Sequence, residues 1–327
     1  MPGQYSPLVS VMVPAYNAGT TISRCLNSVI GQTYRPLQVI VVDDGSCDDT
    51  ASDVNRIIHN NTDPDLEMTF LRHVCNTGCG ASRRDAVMEA KGDYIIAVDA
   101  DDYIDSCMIS RMVEEASCGN VDIVCAEMTE ERCGRSRRLR YDASETFRLN
   151  DLRLDTLRFT LSKLIRTDLL RVHMVFTPGI DCWEDMEQIS VLLACEPVIR
   201  IIRESYYHYV IDPDAGSLTH SGTERILNQH LDVARRLQGY FDKAGISEKY
   251  APFLEYVKFI AKVKFLRSSQ ALRHPLKRLR LWRDTFPEVN SHIMRFRHVG
   301  IIYRLAFAFA YRVSLLLPGK NRQTYNH

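Results

Sequence analysis

Three aspartates following a short apolar run are the residues best placed to do chemistry. Tyr94-Ile-Ile-Ala-Val98 reads as a buried strand, and Asp99, Asp101 and Asp102 stand at its C-terminal edge. In an open α/β sheet, ligands bind outside that edge. Crowded carboxylates disfavour one another's charge unless a cation or hydrogen-bond donors compensate them. Hard divalent cations take oxygen ligands, and Mg²⁺ commonly combines one or two carboxylates with substrate phosphates. A metal–diphosphate site is therefore expected. The plain alternative is a solvated turn or a helix N-terminus, where aspartate is common.

A second apolar run, Leu37 to Val42, also ends in acids, Asp43 and Asp44, and either can accept from a ligand N–H or hydroxyl. Asn76-Thr-Gly-Cys-Gly80 then forms a glycine-rich turn into a helix that carries Arg83 and Arg84. A guanidinium there can bind phosphate bidentately or lie on an exposed helix face. Further on, Pro178-Gly179 delivers Trp183, Glu184 and Asp185 to the start of a helix. A helix N-terminus keeps a carboxylate ionised, so either acid is a candidate base as well as a candidate cap. Trp183 is either core or a stacking platform. His208, near the end of a later strand, is a candidate further metal ligand or a structural histidine.

The elements that must position these residues follow from the apolar pattern. Leu8 to Pro14, Leu37 to Val42, Glu67 to Arg72, Tyr94 to Val98, Val121 to Ala126 and Val198 to Tyr209 read as strands. Amphipathic stretches between the first four predict helices, and strand–helix repeats of this kind build a parallel, doubly wound layer. Thr20 or Thr21 can cap the first helix. Cys133 to Arg140, rich in arginine, reads as a surface loop, and Phe159 to Leu170 as a helix with Lys163 in its middle. The remainder is helical: Thr223 to Ala244, Ala251 to Ala271, Leu276 to Phe286 and an apolar run from Val299 to Leu317.

The chain has 327 residues and a formal net charge of zero, unevenly distributed. Residues 251–327 hold 15 Lys+Arg and 3 Asp+Glu, a net of +12, which leaves −12 on the first 250. A basic tail on an acidic body suits an anionic surface, membrane or polyanion, and nucleic acid is not expected as a partner. Arg304 and Arg312 inside the last apolar run would cost about 5–7 kcal/mol in a membrane span, so an interfacial helix fits better. Its arginines, with Arg297, would meet headgroups, and Phe307, Phe309 and Leu315 the acyl chains. Packing against the body is the competing expectation. Ten cysteines without a CxxC pair, and no apolar leader at the start, fit reduced thiols and a cytoplasmic setting.

Several motifs together resemble the family 2 glycosyltransferases of GT-A fold. They are Val9-Ser-Val-Met-Val-Pro-Ala-Tyr-Asn17, Gln32-Thr33, Val41-Val-Asp-Asp-Gly-Ser46, Asn76-x-Gly78 with Arg83, and Ala90-x-Gly-Asp-Tyr-Ile95. Asp99-Ala-Asp-Asp102, Lys163-Leu164, Phe176-x-Pro178, Glu184-Asp185 and Gly216-Ser-Leu-Thr219 follow in the family's order. The resemblance implies an α/β fold, a mostly parallel, Rossmann-like sheet flanked by helices, with a helical C-terminal extension. Residues 1–105 would form the nucleotide-sugar-binding half, 106–220 the acceptor-binding half, and 221–327 a basic helical region.

It further implies metal-dependent transfer, with inversion, from a nucleotide diphosphate sugar, UDP-linked by expectation, to a saccharide or glycolipid acceptor. Pro14, Ala15 and Tyr16 would line the nucleotide pocket, Asp44 would hold the base, Arg83 the nucleotide and Asp99 the ribose. Asp101 would bind a divalent cation, Mn²⁺ or Mg²⁺, Asp185 would act as base, and Trp183 and Glu184 would meet the acceptor. Arg84 and Ala86 depart from the family's usual Asn and Gly, which leaves nucleotide preference open. The competing reading is a non-catalytic nucleotide-sugar-binding subunit. A phosphatase lacks its nucleophile, since Val41 stands two residues before Asp43, and no GxGxxG follows the first strand as a dinucleotide site requires.

Overall fold

The computed structural model describes residues 6–141, 149–151, 160–212, 224–266, 275–296 and 300–317. The chain divides into two compact units, Met1–Leu218 and Thr219–His327.

In the first unit, β1 (Val9–Ala15) and β2 (Leu37–Asp43) are buried at every position. That is the pattern of central parallel strands covered on both faces. They join β3 (Leu66–Arg72) and β4 (Tyr94–Ala97) in the parallel order β3-β2-β1-β4. Three helices connect them: α1 (Ile22–Ile30), α2 (Thr50–Asn60) and α3 (Cys79–Glu89). α1 buries Ile22, Cys25, Leu26 and Val29, the stripe that a 3.6-residue period lays on one face. Thr21 precedes it but makes no side-chain cap hydrogen bond.

Beyond β4 the sheet becomes mixed. After β5 (Tyr103–Ile104) and α4 (Met108–Ala116) come β6 (Ile123–Arg132) and β7 (Arg135–Leu139), an antiparallel pair. The arginine-rich stretch expected as a loop is thus the second arm of a hairpin. Its Arg138 pairs with Glu127 across the ladder at 2.6 Å, and cross-strand opposite charges favour such a register. Next are β8 (Lys163–Arg166), α5 (Thr167–Val172), α6 (Glu184–Ala194) and β9 (Ile199–Ile211). The order continues β4-β8-β6-β9-β5.

The expected helix over Phe159 to Leu170 is corrected here. Lys163–Arg166 is an antiparallel strand wedged between β4 and β6, with Ile165 opposite both Ile95 and Ile123. A four-residue run can satisfy its backbone in a sheet only if both neighbours exist, and these come from distant sequence. Helix begins at Thr167 instead.

The second unit is helical: α7 (Glu224–Lys243), α8 (Ala251–Leu266), α9 (Pro275–Asp284), a 3-10 stretch (Pro287–Arg295) and α10 (Ile301–Leu315). Its core is aromatic. Phe241 packs against Tyr250 and Phe253, and Phe259 against Phe296 and Phe307. Phe307 also stacks near Trp282 at 6.3 Å, so it faces this core rather than an external surface. Arg304 turns the same way, donating to the Met294 carbonyl at 2.9 Å. The opposite side of α10 leaves Ile301, Ile302, Leu305, Phe309 and Leu315 exposed, with Ile302 at 78%. Arg297 and Gly216 to Thr219 lie outside the described residues.

Candidate active site

The loops after β1, β2 and β4 meet at one edge of the sheet. Pro14 and Ala15 are buried at the tip of β1, while Tyr16 is 48% exposed. The next residue, Asn17, is tied to the loop after β2: its N–H donates to Ser46 Oγ (2.9 Å), and its Oδ1 accepts from the Cys47 N–H (3.0 Å).

Asp44 is held from several sides. Its Oδ1 accepts from the Thr77 N–H (2.9 Å) and Oγ1–H (2.8 Å), and its Oδ2 from the Gly78 N–H (2.7 Å). His73 Nδ1 lies 2.6 Å from the same carboxylate, and its Nε2 lies 3.1 Å from Asp85. Burial alone would raise the Asp44 pKa, but these hydrogen bonds outweigh it and hold the group below its ordinary value. The carboxylate therefore fixes the Asn76–Gly80 turn as an anion. Gly78 is required there: its φ is +96°, and a Cβ would lie 2.4 Å from Asp181 Oδ1. The turn also meets the second half of the unit, because the Gly179 N–H donates to the Thr77 carbonyl at 2.8 Å.

The three aspartates after β4 separate into different environments. Asp99, Asp101 and Asp102 each offer an oxygen, and these oxygens lie within 4.8 Å of one another. Asp101 is exposed at the rim, yet enclosure by the strand end, followed by the Asp99 charge, raises its carboxyl to about 6. Asp102 is wholly buried. Its Oδ2 accepts from Tyr207 Oη (2.7 Å) and its Oδ1 from the Val210 N–H (2.8 Å). Burial, then Asp101 and Asp99, pushes its pKa well above the usual carboxylate range. Asp102 is thus a clamp onto β9. Tyr207 Oη in turn accepts the Asp99 N–H at 3.1 Å.

Arg83 is 3% exposed and reaches two carboxylates. Its Nη2 donates to Asp99 at 2.9 Å, and its Nη1 donates to Glu184. Glu184 is likewise buried, so Trp183 and Asp185 are the more open members of that turn. Trp183 is the N-cap of α6 with φ +69°, a left-handed conformation that a bulky residue rarely takes. Such strain persists only where surrounding structure imposes it. Burial, then the Glu184 charge, raises the Asp185 carboxyl to about 8, with Arg83 opposing the rise.

His208 is placed elsewhere. Its ring stacks on Tyr103 (centroids 4.2 Å apart), with Nδ1 2.9 Å from Glu131 and Nε2 3.2 Å from Asp105. Both ring nitrogens are therefore engaged away from the three-aspartate cluster.

Sequence reasoning missed Tyr207 as the link between Asp99 and Asp102, although it lies in the expected strand Val198 to Tyr209. It also missed Arg24, which donates to the Asp101 carbonyl and lies 5.2 Å from the Tyr103 ring centre. Lys163 is buried on β8 beside Tyr141, 3.4 Å from its hydroxyl, where burial lowers its pKa.

The family description "Glycosyl transferase family 2" matches residues 10–174, half of the chain. The chain belongs to that family. The uncharacterized glycosyltransferase EpsJ of Bacillus subtilis (strain 168) is 36% identical over 118 residues, which cover 36% of this chain and 33% of EpsJ. The aligned part thus spans about a third of that relative's length. Among solved structures, S. aureus TarS 1-349 in complex with UDP-GlcNAc superposes with a TM-score of 0.68 at 19% identity, covering 94% of this chain and 90% of TarS 1-349. The mannosyltransferase PcManGT from Pyrobaculum calidifontis, in complex with GDP-Man and Mn²⁺, gives a TM-score of 0.53 at 18% identity, covering 95% and 88%. These likenesses show the fold, the GT-A architecture that the motif order implied.

Proposed function

We propose that the protein transfers a sugar, with inversion, from a nucleotide diphosphate sugar to a hydroxyl of a saccharide or glycolipid acceptor, in surface polysaccharide or glycan assembly. The observation that carries the reading is the bridge by which Arg83 joins Glu184, the neighbour of Asp185 at the start of α6, to Asp99 at the end of β4, where enclosure also raises the Asp185 carboxyl to about 8. A carboxylate with a raised pKa is a competent acceptor of a hydroxyl proton near neutrality. A UDP-linked donor is favoured by the TarS complex, whose fold the chain shares.

Each residue then has a task. Tyr16, with Pro14 and Ala15, borders the nucleobase end, and Asp44 shapes that end through the Thr77–Gly78 turn. Asp99 faces the ribose. An all-oxygen donor set suits Mg²⁺ or Mn²⁺, and the exposed Asp101 is the carboxylate that would hold the ion. When bound, such an ion supplies charge stabilisation to the departing diphosphate. Trp183 offers a face on which an acceptor sugar can stack. Asp185 takes the acceptor proton as that oxygen attacks the anomeric carbon, and the bond to the diphosphate breaks on the opposite side. One displacement inverts the centre.

The helical unit adds a contact with an anionic membrane surface through the exposed side of α10, supported by the excess of basic residues in 251–327. No helix among the described residues is long and apolar enough to cross a membrane.

The test is Asp185→Asn. Binding of a nucleotide sugar, followed by calorimetry over a donor panel, should persist while transfer drops by roughly 10²–10⁴-fold. Transfer at the wild-type rate would remove Asp185 as the base.

A further inference from the structure

Arg83 lies on α3, between the donor-side strand β4 and the turn that opens α6. Its guanidinium is buried and splits between two acids from distant segments, Asp99 after β4 and Glu184 at the start of α6. The remaining nitrogen, Nε, is buried with no hydrogen-bond partner among the described residues. A planar fork held this way fixes the mutual position of both carboxylates, and a flexible ammonium cannot reproduce the geometry.

We infer that Arg83 is a positioning residue: it ties the turn carrying Asp185 to the donor-binding strand end, so that the base is placed and tuned from the donor side. The inference rests on the reading of Asp185 as base. It gives Arg83 a task beyond direct contact with the nucleotide, since both of its terminal nitrogens donate to protein carboxylates.

The charges around Asp185 allow the two roles to be separated. Glu184 on its own helix raises its pKa, as does Asp99 after β4, while Arg83 on α3 lowers it. Cys79 on α3, Lys163 on β8 and Tyr209 on β9 also feel the Asp185 charge. Loss of Arg83 should move the acidic limb of the kcat/KM profile to higher pH, and loss of the Glu184 charge should move it to lower pH. A merely structural lesion would reduce the rate without moving the limb.

The experiment compares Arg83→Gln, Arg83→Lys and Glu184→Gln for donor affinity, kcat and pH profile. Arg83→Gln should raise the limb by about one to three pH units, the usual reach of a close opposite charge. It should also lower kcat by tenfold or more, the order expected for a misplaced base. Arg83→Lys should return the limb toward the wild-type position while recovering only part of kcat. Glu184→Gln, nearly isosteric, should lower the limb, and it carries the test if the Arg83 variants do not fold. A loss confined to donor affinity would overturn the inference, as would a limb unmoved in Glu184→Gln and in every folded Arg83 variant. If Asp185→Asn abolishes transfer while neither limb moves, only the Arg83 link fails. If Asp185→Asn is fully active, the base reading fails and the link goes with it.

Discussion

The two units depart from the inside-out rule of globular proteins at different places. The first unit buries ionisable groups: Asp43, Asp44, Arg83, Asp102 and Glu184 are all enclosed. The second leaves apolar surface open, with Ile301, Ile302, Leu305 and Phe309 of α10 facing solvent while its core is filled by Trp282, Phe259 and Phe307. Buried ionisable groups survive only when paired or hydrogen-bonded, and here each acid named has such partners. Exposed apolar rows have no comparable internal remedy, and they mark contact surfaces. The contrast fits the proposed chemistry at the sheet edge and the proposed surface contact at the last helix.

Removing divalent cation with a chelator, or making Asp101→Ala, should cut transfer most among the changes to the donor side, by two to three orders of magnitude, in line with losing one preorganised charge-stabilising group. Donor affinity that is the same with and without cation in the wild-type protein would break the metal assignment. Next in size is the pH effect. The folded Asp185 pKa is raised to about 8, and the proton-accepting form predominates only above it. Thus kcat/KM should rise about tenfold per pH unit up to pH about 8 and then level off. A profile already flat from pH 5 would exclude a base in this environment.

A smaller effect is expected at Tyr207. Tyr207→Phe leaves Asp102 Oδ2 buried without its donor, which costs about 1–3 kcal/mol and should lower the denaturant midpoint. The burden on stability should exceed that on donor binding. Smallest for catalysis are changes to α10. Ile302→Glu or Phe309→Glu should leave transfer to a soluble acceptor unchanged while reducing co-sedimentation with phosphatidylglycerol vesicles. Undiminished binding to the vesicles would place the contact elsewhere.

Much of the first unit was legible from the chain. Mostly apolar runs such as Val9–Ala15 and Leu37–Asp43 read as buried strands, and the acids that end the second and follow β4 point to a ligand edge. Charge segregation after residue 250 was equally plain. Three features were not legible. Lys163–Arg166 becomes a strand because β4 and β6 arrive on either side, and local propensity is silent on that. Asp102 looks identical to Asp101 in sequence, yet Tyr207 and Val210 draw it inward. Phe307 and Phe309 sit two residues apart on one helix, so a single period could not say which would face the core.

The sequence by itself determined the inventory: strand-forming runs, acids at their ends, a glycine turn, an arginine, and an acid pair at a helix start. Those depend on residue type and near-neighbour spacing, which the chain states directly. Only the tertiary structure decided how the acids divide their work. Asp99 joins Glu184 through Arg83, Asp102 is withdrawn into β9, and Asp101 stays open, because each carboxylate's partners come from segments about 16 to 108 residues away. Burial and pairing are properties of that assembly, and they set which carboxylate is structural and which can take up a proton.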